Sequence, residues 1–121
     1  MIGYVTLGTQ DLKRAASFYD PIAAEMGGKR VMEYEKFIAW GAKGGAMIGV
    51  IIPFDGKPAT VGNGVMAALA AKDRAQVDRV HALALSLGGK DEGKPGLRGD
   101  TFYGAYFRDL DGNKLAVYHI G

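Results

Sequence analysis

The chain has 121 residues and a mass of 12.8 kDa, the size of one domain with enough length for a real core. Hydrophobic residues make up 48% and charged residues 23%, which excludes a disordered, charge-rich chain. The net charge of +2 is spread without a basic stripe, which speaks against a nucleic-acid binder, and the absence of cysteine excludes disulfides, thiolate zinc sites and cysteine nucleophiles.

Tyr4 to Gly8 reads as a short strand. A helix follows from Asp11 to Met26, with Leu12, Ala15, Tyr19, Ile22 and Met26 on one face at spacings of three and four. Gly27-Gly28 ends it as a left-handed cap, and Pro21 inside it predicts a kink. Three strands are expected next, Arg30 to Tyr34, Phe37 to Gly41 and Ala46 to Ile52, turned at Glu35-Lys36 and Lys43-Gly44-Gly45. Residues 54–61 read as a linker, after which the pattern restarts. Gly64 to Ala71 reads as a strand, and Asp73 with Gln76 forms a capping-box arrangement for a helix carrying Val77, Val80, Ala84 and Leu87 on its apolar stripe. Gly88-Gly89 closes that helix. A glycine-rich loop from Lys90 to Asp100 leads to a hairpin of Phe102 to Arg108 and Lys114 to Ile120, turned at Asp109-Leu110-Asp111-Gly112.

The two halves repeat. Gly27-Gly28-Lys29 returns as Gly88-Gly89-Lys90, Gly45 corresponds to Gly112, and Trp40 falls on Phe107. The expected fold is α+β: two βαβββ modules, about 1–53 and 62–121, forming a cup-shaped, antiparallel-rich sheet with the helices outside. The N-terminus lacks the pattern of a secretion signal and no apolar run is long enough to span a membrane, so a cytoplasmic protein is expected.

Asp11-Leu12 followed by Phe18-Tyr19, and Asp109-Leu110-Asp111-Gly112-Asn113-Lys114 before the last strand, resemble the vicinal oxygen chelate superfamily. That superfamily includes glyoxalase I, extradiol dioxygenases and bleomycin-resistance proteins, and the resemblance spans nearly the whole chain. Its members usually carry proline where Leu110 stands. The resemblance implies four metal ligands on the first and last strands of each module, and these positions land on Tyr4, Gly49, Met66 and Ala116. A phenol, a hydrogen, a thioether and a methyl group do not suit a divalent ion that prefers imidazole and carboxylate. No metal or other cofactor is therefore expected.

Strand alternation from those positions sends Tyr4 and Thr6, Met47 and Gly49, Met66 and Ala68, and Ala116 and Tyr118 into the cup. Trp40 and Tyr106 are added on a less secure phase, and small Gly49, Ala68 and Ala116 are expected to leave open volume. Arg98 in the glycine-rich loop is a candidate anion clamp, against the alternative of an exposed arginine without a partner. His119 falls on the helix side and His81 on the second helix, both read as structural. Of the glutamates only Glu33 has a strand position from which a cavity is within reach, and a solvated position is the preferred reading. No carboxylate pair for acid–base work emerges, and no catalytic residue is assigned.

The leading expectation is a metal-free small-molecule-binding protein with a hydrophobic-aromatic cup, forming a homodimer, as the resemblance implies. The alternatives are a lyase, isomerase or dioxygenase-like enzyme resembling lactoylglutathione lyase, and a structural domain whose cup is packed shut.

Overall fold

The computed structural model describes residues 1–121 as eight strands and two helices. The strands are β1 (Tyr4–Gly8), β2 (Lys29–Tyr34), β3 (Phe37–Gly41), β4 (Met47–Ile51), β5 (Ala67–Ala70), β6 (Lys90–Leu97), β7 (Phe102–Arg108) and β8 (Lys114–Ile120). The helices are α1 (Leu12–Glu25) and α2 (Arg74–Ser86). They form two four-stranded mixed sheets, ordered β1-β4-β3-β2 and β5-β8-β7-β6. In each sheet the first strand runs parallel to the fourth and the other pairs are antiparallel. The expected α+β architecture is present, and the repeat holds in the registers. Leu7 faces Val50 as Leu69 faces Val117, and Trp40 faces Ile48 as Phe107 faces Leu115.

Local chemistry sets the helix ends. The Asp11 side chain accepts from the Arg14 amide at 3.0 Å, and Asp73 accepts from the Gln76 amide at 2.8 Å. Gln76 does not return the bond to Asp73. Its Oε1 accepts from the Lys72 amide at 2.8 Å, while its Nε2 donates to the Glu25 carbonyl at the end of α1. At the other ends, Gly27 and Gly88 take positive φ and Gly28 and Gly89 donate back to Ala23 and Ala84. Both closures are therefore Schellman turns, which explains the paired glycines. α1 is continuous through Pro21.

Two expected boundaries are corrected. The segment read as a strand from Gly64 pairs only from Ala67, because Gly62 to Val65 closes a turn, with Gly64 at φ +94°. The segment read as a loop from Lys90 to Asp100 is largely strand β6. It is an edge strand, where Pro95 loses no ladder bond, and its register shifts around Gly93 and Gly96 absorb the glycines.

One continuous core joins the two halves: Phe18, Tyr19, Ile22, Ile38, Trp40 and Val50 merge with Val77, Val80, Ala84, Phe107, Leu115 and Val117. Phe18 packs against Phe107, ring centroids 6.2 Å apart, and so carries α1 onto the second sheet. No helix is long and apolar enough to cross a membrane.

Candidate functional site

A slot between the two sheets

Neither β1 nor β5 has a second neighbour, so each exposes one edge of its ladder. Between them lies a cavity of about 670 Å³. β5 lines it along its whole length with both alternating sets of side chains, which places the strand's free edge against the cavity. Opposite stand Val5, Thr6 and Leu7 of β1, and Tyr19, Ile22 and Ala23 of α1, with Met26 at its C-cap, form its floor. Trp40, Met47, Ile48 and Met66 complete the wall, and no Asp, Glu, Lys, Arg or His lines it. The volume lies within the 300–1,000 Å³ typical of small-molecule sites, and such sites are predominantly apolar.

The residues read as cup-lining divide. Thr6, Met47, Met66 and Ala68 line the slot, and Tyr4 stands beside them, more than half exposed. Gly49 and Ala116 face away from the helices but are buried. The volume expected at Gly49 is not open, because the Phe37 ring fills it and would collide with any Cβ there. Phe102 covers Gly104 in the second sheet in the same way, stacked on Tyr118 at 5.3 Å. The small residues thus accommodate aromatic rings on the concave faces, and the free space lies between the sheets.

Trp40 is also corrected. It projects from the helix side, 2% exposed, stacked on Tyr19 at 5.2 Å, with its indole N–H donating to Asp20 at 2.7 Å. It reaches the cavity from that face. Arg98 is exposed but not partnerless: its guanidinium donates to the Lys94, Gly96 and Gly104 carbonyls and lies over the Tyr106 ring. It ties irregular β6 to β7.

The remaining polar candidates are engaged. His81 is buried and its Nε2 sits 2.9 Å from Asp91, whose carboxyl is held below its ordinary range by the Gly93 amide and by His81. His119 lies on the helix side, its Nδ1 3.0 Å from the Ala71 carbonyl. Glu33 pairs with Arg30 in solvent. Tyr19 is the one titratable group on the slot, and its hydroxyl donates to Asp109 at 2.6 Å. Burial first, and then the Asp109 charge, push that phenol well above its ordinary value of 10.0.

Asp109 is more than a turn residue. It is buried, accepts from the Asp111 and Asn113 amides and the Asn113 side chain, and holds Tyr19 across the two halves. Asn113 in turn donates to the Gly8 carbonyl at the end of β1. The conspicuous Asp109-to-Asn113 motif therefore clamps β1 and α1 to the second sheet, and in doing so fixes the width of the slot.

The four positions that would carry metal ligands do not fit an ion. Tyr4, Gly49, Met66 and Ala116 supply no imidazole or carboxylate, and no group of three or more His, Cys, Asp or Glu residues anywhere in the chain has the proximity to hold one.

Relation to known proteins

The family model described as "Glyoxalase/Bleomycin resistance protein/Dioxygenase superfamily" matches residues 1–117. A glyoxalase/bleomycin resistance protein from Albidiferax ferrireducens is similar in structure, with a TM-score of 0.92 and 33% identity over 100% of this chain and 99% of that one. A hypothetical protein from S. aureus shares 25% identity at a TM-score of 0.76, covering 98% of this chain and 92% of its own. A lactoylglutathione lyase from Agrobacterium tumefaciens shares the fold at 22% identity and a TM-score of 0.73, over 98% and 92% of the two chains. No curated protein matches. The family match, the 33% identity over the full length and the repeated βαβββ registers agree: the chain belongs to the glyoxalase/bleomycin resistance protein/dioxygenase superfamily.

Proposed function

We propose that this protein binds a small, largely apolar molecule in the slot between β1 and β5 without a metal ion. One observation carries the reading: a cavity of about 670 Å³ whose wall holds aliphatic, thioether and aromatic groups and no ionised side chain. A ligand there gains from removing apolar surface from water, about 25 cal/mol per Å² before association costs. Catalysis by general acid or base has no group to use, since the Tyr19 hydroxyl is already given to Asp109.

Ligand panels that include aromatic antibiotics should contain compounds that raise the melting temperature and quench Trp40, the single tryptophan, which lies on the slot. Met66→Asp places a carboxylate on the wall and should weaken binding at least tenfold, since a charge desolvated by an apolar ligand is costly. Equal binding by the variant would remove the slot from consideration.

A cytoplasmic homodimer is part of the same proposal. The outer strands β2 and β6 have unpaired edges, and Val31, Tyr34 and Leu97 on them are more than half exposed. Sedimentation equilibrium should give about twice the 12.8 kDa chain mass, and a single-chain mass at micromolar concentration would refute the dimer.

A further inference from the structure

A second cavity, of about 470 Å³, adjoins the slot and differs from it in chemistry. Val65 and Met66 form a wall common to both. The rest of its lining is the start of the Gly62–Val65 turn, with Val61 before it, together with Arg108 and Lys114. Arg108 ends β7 and Lys114 begins β8, directly opposite one another in the ladder. Like charges in that position destabilise a sheet.

Only part of that charge is compensated. Arg108 donates to Glu92 at 2.6 Å and to the Gly112 carbonyl at 3.1 Å. Lys114 has no carboxylate within ion-pair distance, and its ammonium lies 5.4 Å from the Tyr106 ring centroid. Arg98 lies over the same ring and also lacks a carboxylate partner, adding positive potential. Two cations face each other with one carboxylate between them, so the pocket keeps a net positive charge. The amides of Gly62, Asn63 and Gly64 make no hydrogen bond within the chain and are free to donate. A repulsive pair retained beside unpaired donors is a local conflict that an anion resolves.

We infer that this cavity seats the negatively charged end of the ligand whose apolar body occupies the slot. The ligand class is then an amphipathic anion, an apolar skeleton ending in a carboxylate, sulfonate or phosphate. This rests on the slot reading and adds to it a charge requirement that the slot alone does not have.

Two fluorescent probes with the same ring systems separate the two ideas: anilinonaphthalene sulfonate, which is anionic, and phenylnaphthylamine, which is neutral. Each should bind with one-to-one stoichiometry. The sulfonate should bind about three- to tenfold more tightly at low salt, as a charge-assisted contact contributes, and the preference should shrink as ionic strength rises. Lys114→Gln should abolish the preference and leave the neutral probe unchanged, while Lys114→Arg should keep it. Equal affinities in the native protein, or a preference that survives Lys114→Gln, would overturn the anion seat and leave the slot intact. Failure of both probes to bind at a single site would overturn the slot and the seat together.

Discussion

Asp109→Ala is expected to lower the unfolding free energy by about 3–4 kcal/mol, because it strips the acceptor from several buried donors at once. The Tyr19 hydroxyl, the Asn113 amide and the Asn113 side chain lose a partner they reach at 2.6 to 3.0 Å, and water has poor access to replace it. The melting temperature should fall by about 10–15 °C in a chain of this length, and chemical denaturation measures the free energy directly. A loss under 1 kcal/mol would show that the two halves are held together by apolar packing alone. Tyr19→Phe removes one of these bonds and should cost about 1–2 kcal/mol. It also has a pH signature. The folded state raises the Tyr19 phenol above its unfolded value of 10.0, so the stabilisation is complete below that pH and is lost as pH climbs through the folded value. The native protein should therefore lose more stability than Tyr19→Phe between pH 9 and roughly pH 11.

Gly89→Ala is the second large effect. A Cβ at Gly89 would stand 2.8 Å from both the Ala84 and Arg108 carbonyl oxygens and 3.1 Å from the Phe18 ring. Two of these neighbours are backbone, one in the last turn of α2 and one at the end of β7, and neither can move without breaking its element. A cost of about 3 kcal/mol is expected. Gly88→Ala should cost less, about 1 kcal/mol, because its penalty is mainly the left-handed φ of +100°. The reverse order in urea denaturation would mean that the turn conformation, and not the close approach of helix and sheet, demands the glycine pair.

Both substitutions lie in the motifs most visible in the sequence, and the contacts of those motifs hold elements of the fold together. Their work is architectural. The Asp109-to-Asn113 turn and the two Schellman closures position β1, α1 and β5, and the slot is what remains between them. This explains how the chain keeps its superfamily's sequence marks while lacking the side chains to hold a metal. The marks specify the scaffold, and none of its contacts described above depends on a metal ligand at Tyr4, Gly49, Met66 or Ala116.

The sequence by itself determined the helices, their aspartate N-caps and paired-glycine closures, the hairpin of β7 and β8, and the offset that relates the two modules. These follow from local chemistry or from counting: an aspartate three residues before an amide, a glycine where φ must be positive, an alternation of period two. Only the tertiary structure decided what fills the concave faces and where the open volume lies. Alternation gives the relative phase within one strand but not its absolute face, and so the sequence leaves the phase of Trp40 open, while the fold puts it on the helix side. A glycine marks a close approach without naming the neighbour, and Phe37 over Gly49 comes from another strand. The edges of β1 and β5 come from separate modules, and their separation is set by the packing of Phe18 on Phe107 and of Tyr19 on Asp109. Those contacts join residues about ninety positions apart, a range at which no local pattern carries information.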